Sequence, residues 1–259
     1  MQKEEQLLEK RLLELSRLAY NRDIIVYSDF LNLNELHILH SLPKDSLYAP
    51  YRVFGGYELA ERQMAAFLPD ALSLRVEKIS ELFFPDEISV LRIEPLHKKY
   101  AEELSHRDYL GAMLNLGIDR SKTGDILVDK TGAVVFVRTQ LKEFLKEELT
   151  RIRHTAVMVT EDPAETFHYV PRYEEIRGTV ASVRLDSLLS LAFGASRNHL
   201  SGLIEGGKVF VNGKLITSNG YQVKENDIIS VRGMGKFRFI EQLSVTKKKR
   251  IAVMIHKYI

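Results

Sequence analysis

The sequence contains no cysteine. The chain therefore has no disulfide bond, no thiolate nucleophile and no thiolate metal site. It also lacks a run of about 18 apolar residues, so no membrane-spanning helix is predicted. The first twenty residues are rich in Glu and Lys and lack the basic-then-apolar order of a signal peptide. We expect a cytoplasmic protein, and nothing in the sequence requires a metal or a small cofactor.

Positive charge is concentrated in the C-terminal part of the chain. Residues 181–259 hold 13 Lys and Arg against 5 Asp and Glu, a net charge of +8, whereas residues 1–180 have a net charge of −6. A basic end on a mildly acidic body indicates a polyanionic partner. The alternative interpretation is a basic tail that serves only solubility.

The 259 residues are enough for two or three small domains. The first, residues 1–80, is predicted to be a mixed α/β unit. Apolar spacing predicts a helix over 5–20, and a short apolar run predicts a strand over 24–27. Residues 58–67 are predicted to form a helix that Pro69 ends.

Residues 81–160 are predicted to form a second domain with the element order β-α-β-β-α-β. This order is typical of ferredoxin-like folds, which RNA-recognition domains also use. Of the aromatic pair expected on the central strands of such a domain, only Phe136 is present, so we do not predict base stacking on this sheet. The predicted strands are 88–93, 124–128, 133–137 and 155–160, and the predicted helices are 105–116 and 140–153.

Residues 161–179 are polar, contain two prolines and are predicted to be a linker. The last domain, residues 180–259, starts with two short helices. Ser196 is predicted to cap the second helix, and Gly206-Gly207 is predicted to end it. Val209 and Val211 alternate with Lys208, Phe210 and Asn212, and this alternation predicts a strand that is buried on one face only. The fold class is therefore α+β with several domains.

Several residues of this last domain are candidates for RNA contact. Arg197 falls at the start of the second helix, where its charge adds to free N–H groups that suit a phosphate. For Arg184 the alternative is an ion pair with Asp186, and for Asn212 it is turn chemistry, which is the better interpretation there. The basic run 247–250 is either an RNA contact or a solvated turn between two strands.

Residues 182–238 resemble the RNA-binding module named after small-subunit ribosomal protein four, here the S-four-like domain. The resemblance rests on Arg184-Leu185-Asp186, on Ser196-Arg197, on the stretch from Leu203 to Gly213 and on Asp227-Ile228. In that family the basic face of the two helices contacts structured RNA. The resemblance implies RNA contacts at Arg184, Ser196, Arg197, His199, Lys208, Asn212, Lys214, Arg232, Lys236 and Arg238.

The whole chain also resembles the bacterial YlmH family, through residues 54–62, 106–113 and 116–126 together with the C-terminal module. The resemblance implies association with the large ribosomal subunit and a role in handling stalled nascent chains still attached to tRNA. Structured rRNA or tRNA is then the expected partner, and no DNA partner is expected. A link to cell division is a weaker implication.

Three other interpretations remain open. Arg184-Leu185-Asp186 resembles the catalytic motif of pseudouridine synthases, but the large catalytic domain expected after the RNA module is missing. An unfamiliar RNA-modifying enzyme would use His106, Asp108 and Asp125, although no second motif brings an acid, a base and a nucleophile together. A protein-interaction adaptor is the third alternative. The polar run 106–125 could also form a second RNA contact through Arg107, Arg120 and Lys122.

Overall fold

The computed structural model describes residues 3–69, 84–162 and 171–258. The chain divides into two compact units, Met1–Tyr169 and Val170–Ile259. Both units mix helices and strands, which confirms the predicted α+β class. None of the described helices is long and apolar enough to cross a membrane.

The first part of unit 1 is a small three-stranded sheet covered by two helices. Helices α1 (Lys3–Arg22) and α2 (Leu33–Ser41) pack against strands β1 (Val26–Tyr27), β2 (Tyr51–Phe54) and β3 (Met64–Phe67), in the order β1-β3-β2. One face of α1 and the apolar positions of α2 meet the sheet, as their spacing predicts. The buried contacts include Leu12, Leu15, Ala19, Leu36, Leu39, Ala65 and Phe67.

The helix predicted over 58–67 was wrong. Residues Met64–Phe67 form the central strand of the small sheet, and all four are buried. Met and Ala favour helices in isolation, but two antiparallel partners satisfy both edges of this strand. Tertiary pairing therefore overrides the local preference.

The second part of unit 1 is a five-stranded antiparallel sheet with the order β5-β6-β4-β8-β7. In this order the first strand in sequence, Ile88–Pro95, lies between Gly132–Arg138 and Thr155–Glu161. This is the strand order of the predicted ferredoxin-like fold, in which the two β-α-β units interleave. Its elements are α3 (Phe84–Glu87), β4 (Ile88–Pro95), α4 (His106–Asn115), β5 (Thr123–Asp129), β6 (Gly132–Arg138), α5 (Lys142–Glu148), β7 (Arg151–Ile152) and β8 (Thr155–Glu161).

The helix predicted over 140–153 was too long. Helix α5 ends at Glu148, and β7 pairs with β8 through Ile152 and Thr155. Arg153 has φ 53, in the left-handed region that helices do not use. Because Ile152 is 1% exposed in the core of the sheet, the chain gains more from this hairpin than from another helical turn.

Unit 2 is a six-stranded antiparallel sheet with two helices on one face, in the order β11-β10-β12-β13-β14-β9. Apolar residues of both helices pack on alternate residues of the strands. The elements are β9 (Tyr173–Val180), α6 (Leu185–Phe193), α7 (Arg197–Glu205), β10 (Val209–Val211), β11 (Lys214–Leu215), β12 (Ile228–Val231), β13 (Gly235–Val245) and β14 (Ile251–Tyr258).

The predicted linker 161–179 and the predicted start at residue 180 were wrong for the part that the structure describes. Strand β9 pairs with β14 along its whole length, from Val180 opposite Ile251 to Tyr173 opposite Tyr258. The polar composition of β9 misled the interpretation, since an edge strand keeps exposed polar side chains. The predicted linker residues 163–170 lie outside the described ranges.

Candidate RNA interface

The start of α7 is shaped by Ser196. Its hydroxyl accepts a hydrogen bond from the main-chain N–H of His199 at 3.4 Å, so the predicted cap is confirmed. Gly194, with φ 63, ends α6 and allows the tight connection between the two helices. His199 is exposed on the first turn. Arg197 is the first residue of α7, and its side chain lies outside the description.

Arg184 forms the ion pair that the sequence offered as an alternative. Its Nε and one terminal nitrogen donate to the two carboxylate oxygens of Asp186, at 3.2 and 3.0 Å. The Arg184 side chain nevertheless remains 41% exposed. This pairing orients the guanidinium at the start of α6, and its contact with RNA stays a prediction.

Asn212 is a turn residue, which is the interpretation that the sequence favoured over a contact with RNA. Its φ is 49, and its amide nitrogen donates to Asp227 at 2.8 Å while its amide oxygen accepts from the Ile228 N–H at 2.9 Å. Asp227 also accepts from the main-chain N–H of Lys224 at 2.8 Å. Both ends of the Asn212 amide are therefore engaged in joining the β10–β11 turn to β12.

Lys208 and Arg232 are neighbours at the end of two paired strands. The Arg232 N–H donates to the Lys208 carbonyl at 3.0 Å, and both side chains are exposed. The Arg232 guanidinium lies 5.5 Å from the centre of the Phe210 ring. Phe210 is fully buried, and so are Val209 and Val211, so β10 is buried on both faces and not on one as its alternation predicted.

Lys236 and Arg238 do not lie on the same face as the two helices. They alternate along β13 with Phe237 and Phe239, which are buried in the core beneath the helices. Lys236 is paired with Ser230, and Arg238 is paired with Ile228. The predicted contact residues are thus divided between the helical side and the opposite side of the sheet, and they do not form the single helical face that we expected.

The carboxylates of unit 2 are mostly held by internal hydrogen bonds, whereas several cations are exposed. Within the described ranges, Lys208 and Lys214 form no ion pair. Four of the five carboxylates in residues 181–259 accept hydrogen bonds from the protein. These are Asp186, Glu205, Glu225 and Asp227.

The basic run 247–250 forms the turn between β13 and β14. Arg250 donates to the Thr179 carbonyl at 2.6 Å, and Lys249 has φ 56 within the turn. The interpretation as a turn between two strands is confirmed, and a role for this run in RNA binding stays a prediction.

The candidate catalytic residue Asp125 has a structural role in unit 1. Its carboxylate accepts hydrogen bonds from the Tyr57 hydroxyl at 2.8 Å, from the Glu61 N–H at 2.8 Å and from the Arg62 N–H at 3.1 Å. Arg62 in turn donates to the carbonyls of Thr123, Phe30 and Arg120. This network joins the N-terminal segment to β5 and explains why the two predicted domains form one compact unit.

His106 and Asp108 also have local roles. Asp108 accepts from the N–H of Ser105 at 2.8 Å and from its hydroxyl at 2.7 Å, and these bonds lower its pKa. They form a capping box at the start of α4. Partial burial lowers the pKa of His106, and the nearby Arg120 lowers it further, which favours the neutral imidazole. The acid, the base and the nucleophile that an enzyme needs are not joined by any hydrogen bond among these residues.

The glycine pair Gly55-Gly56 packs against the protein rather than forming a phosphate cradle. A Cβ on Gly56 would lie 2.2 Å from the Phe136 ring, and Gly56 has φ 99. The Tyr57 ring stacks on Phe136 with the centroids 5.1 Å apart, and Phe136 is 0% exposed. Phe136 is therefore unavailable for stacking on a base.

The predicted second contact of residues 106–125 is only partly available. Arg120 donates to the carbonyls of Thr123 and Gly124 at 2.8 and 2.9 Å, and burial together with Arg62 lowers its pKa to about 10. Lys122 pairs with Asp29 at 2.8 Å. Arg107 alone is exposed, beside a cleft that Arg151 and Arg153 also line. Arg151 and Arg153 were not predicted as contacts, because both fall within the helix predicted over 140–153.

Two family models match the chain. One, described as the putative RNA-binding domain in YlmH, matches residues 86–166, and the S4 domain matches residues 183–229. The chain carries a YlmH-type RNA-binding domain and an S4 domain. The predicted resemblances to the YlmH family and to the S-four-like domain are confirmed.

Two known proteins are similar to the chain. It is 27% identical over 259 residues to the "Ribosome-associated protein quality control protein P2" of Bacillus subtilis (strain 168), covering 98% of this chain and 96% of the relative. A solved structure, "Cell division protein ylmH from Streptococcus pneumoniae", covers 65% of this chain and 97% of its own, with a TM-score of 0.50 and 24% identity. The second likeness concerns the fold alone.

Proposed function

We propose that the chain is a non-catalytic RNA-binding factor that docks on the large ribosomal subunit and assists the quality control of stalled nascent chains. It would act in the cytoplasm on structured rRNA, tRNA or both, without a cofactor. The similarity to a ribosome-associated quality control protein supports this role. The presence of two RNA-binding domain types in one chain supports it independently.

The observation that carries the proposal is the exposed positive charge of unit 2. Lys208 and Arg232 are adjacent and exposed, while four of the five carboxylates of residues 181–259 accept internal hydrogen bonds. Adjacent cations favour the phosphate backbone of RNA, and this binding weakens as salt rises. Phosphate contacts position a protein on RNA without fixing the sequence that it reads.

A non-catalytic role fits the structural use of the candidate catalytic residues. Asp125 and Asp108 each accept hydrogen bonds that hold the fold together. If the chain were an RNA-modifying enzyme, RNA from cells without it would lack a modified nucleoside. We expect the nucleoside composition of total RNA, measured by mass spectrometry, to be the same with and without the protein.

The direct test is cosedimentation of the full-length protein with isolated small and large ribosomal subunits. We expect the wild type to pellet with the large subunit, and the double variant Lys208→Glu/Arg232→Glu to remain in the supernatant. Lys224→Glu is the matched control, since Lys224 is an exposed lysine of the same unit that we do not place in the interface. Equal pelleting of the double variant, or pelleting with the small subunit only, would contradict the proposal.

A further inference from the structure

A cleft of ≈ 430 Å³ opens in unit 1 between helix α4 and the segment that follows α5. We call it the arginine cleft and define it by Arg107, Gly111, Ala112, Arg151 and Arg153. All five belong to the matched RNA-binding domain, residues 86–166. The volume falls within the range of small-ligand sites, at the lower end.

Helix α4 supplies one wall of the arginine cleft. Arg107, Gly111 and Asn115 are four residues apart and follow one line along the helix, and Asp108 and Ala112 follow the adjacent line. The two smallest residues, Gly111 and Ala112, lie in the middle of this wall. The wall is therefore hollow at its centre and polar at its ends.

The β7–β8 hairpin supplies the opposite wall. Arg151 is exposed on β7, and Arg153 follows in the left-handed conformation of the turn. The Arg153 guanidinium lies 3.6 Å from the Asp108 carboxylate and 3.7 Å from that of Glu102. These ion pairs hold Arg153 across the end of the cleft.

Counted with Glu102, the three arginines around the cleft are balanced by three carboxylates, but two of the arginines stand outside these ion pairs. Arg153 is matched by Asp108 and Glu102, and Glu148 is the remaining carboxylate of the lining. Arg107 and Arg151 are exposed and form no ion pair or side-chain hydrogen bond within the described ranges. Two guanidinium groups are thus available beside a small apolar surface.

Gly111 has no packing reason to be a glycine. A Cβ at this position would meet no atom within 4 Å, and the φ of Gly111 is that of an ordinary helical residue. A glycine inside a helix costs about 1 kcal/mol relative to alanine. Glycine is typical where a ligand closely approaches the backbone, and Gly111 leaves room for such an approach at this wall.

We propose that the arginine cleft binds one unpaired nucleotide of RNA. Its base would lie flat against Gly111 and Ala112, and its phosphate would face Arg107 and Arg151. Proteins that read single-stranded RNA take up unstacked bases of its loops, and the guanidinium fork matches the oxygens of a phosphate. Bases in a duplex are stacked and cannot enter the cleft. This proposal rests on the RNA-binding function proposed above and adds a second, structure-selective contact.

The test compares binding of the full-length protein to a short single-stranded oligoribonucleotide and to a duplex of equal length, by fluorescence anisotropy. We expect Gly111→Leu, which fills the cleft, and Arg151→Glu, which removes a charge-assisted contact, each to weaken single-strand binding about tenfold. Duplex binding, which unit 2 carries, should be unchanged. Lys130→Glu is the control, because Lys130 is exposed in the β5–β6 turn and does not line the cleft.

Gly111→Leu should melt at a temperature no lower than the wild type, since leucine favours the helix and its Cβ meets open space. A loss of binding in this variant is then not a loss of folding. Wild-type single-strand affinity in Gly111→Leu would overturn the proposal, and so would an equal loss in Lys130→Glu. Displacement of the oligonucleotide by an acidic peptide as readily as by adenosine monophosphate would also overturn it.

The measurements distinguish an error in the cleft proposal from an error in the proposed function of unit 2. If Lys208→Glu/Arg232→Glu loses the duplex while Gly111→Leu keeps the single strand, unit 2 binds RNA and the cleft proposal is wrong. If the double variant keeps both RNAs, the proposed function of unit 2 is wrong.

Discussion

Asp125 is the residue on which the connection within unit 1 depends most. It accepts three hydrogen bonds from Tyr57, Glu61 and Arg62, which lie more than sixty positions away in the sequence. Arg62 and Arg120, both partly buried, have this carboxylate as a nearby negative charge. Removing its charge leaves two guanidinium groups and three donors less well compensated.

We predict that Asp125→Asn destabilises unit 1 by about 2–3 kcal/mol, the usual effect of losing hydrogen bonds to a charged group. Urea unfolding followed by circular dichroism measures this change. Asp119→Asn is the control, because Asp119 is exposed and its side chain caps no helix. Equal stability of Asp125→Asn and Asp119→Asn would show that the network does not join the two segments.

Asp129 gives unit 1 a dependence on pH. The Arg92 fork donates to its carboxylate at 2.7 and 2.9 Å, Thr131 adds further bonds, and together they hold its pKa far below the usual value. Because the pKa of Asp129 is lower in the folded than in the unfolded protein, the ionised carboxylate stabilises the fold. This stabilisation is complete at pH values above the unfolded pKa, near 4, and is lost as the pH falls toward the folded pKa. The carboxylate is about half exposed, so solvent reduces the effect.

We therefore predict that Asp129→Asn lowers stability by about 1 kcal/mol or less at neutral pH. The difference in melting temperature from the wild type should shrink as the pH falls below about 5. Thermal unfolding at pH values between neutral and acidic checks this. A difference that grows on acidification would contradict the assigned pairing.

The roles of some residues could be predicted from their neighbours in sequence, and the roles of others could not. Ser196 as a cap and Asn212-Gly213 as a turn follow from their own neighbours in sequence, and both are confirmed. The role of Asp125 depends on a segment far away in the chain, so no local pattern shows it. The division of the predicted contact residues between two faces depends on strand register, which the sequence analysis did not assign.

At the scale of elements, the errors share one cause. Residues Met64–Phe67 and Arg151–Ile152 were predicted as helix, and all of Tyr173–Val180 except its last residue as linker, yet all three are strands. Each is short, or is polar at an edge, and each is stabilised by a partner strand distant in sequence or by a tight hairpin. The long alternating strands and the amphipathic helices were predicted because their own side chains carry the pattern.

A substitution of Asn212 in the β10–β11 turn distinguishes a structural role of this residue from a role in RNA binding. We predict that Asn212→Gly, which keeps the positive φ and removes the amide, destabilises unit 2 by about 1–2 kcal/mol through two lost hydrogen bonds. RNA affinity per folded molecule should stay within about twofold, because the amide is engaged internally. Chemical unfolding and anisotropy measure the two effects.

Asn226→Gly is the matched control for this turn. Asn226 also has a positive φ, 69, and is exposed. We expect little change in stability there. A large loss of RNA affinity in Asn212→Gly without a loss of stability would instead indicate a base contact.

At the scale of the whole molecule, the N-terminal and C-terminal parts of the sequence carry net charges of opposite sign. The net charge of +8 in residues 181–259 and of −6 in residues 1–180 was readable from composition alone, as was the S-four-like pattern. The arginine cleft was not, because Arg107 and Arg151 are brought together only by the β7–β8 hairpin. Sequence therefore indicated the kind of partner, and the structure supplies the surfaces to test.

The most direct test of the account is the salt dependence of binding to large-subunit ribosomal RNA. The full-length wild type, Lys208→Gln/Arg232→Gln and the control Lys224→Gln would be titrated over a range of salt concentrations. If Lys208 and Arg232 each neutralise a phosphate, the double variant binds more weakly and its slope of log affinity against log salt falls by about 2, while the control matches the wild type. Identical slopes and affinities for all three proteins would contradict the claim that unit 2 docks the chain on RNA through these residues.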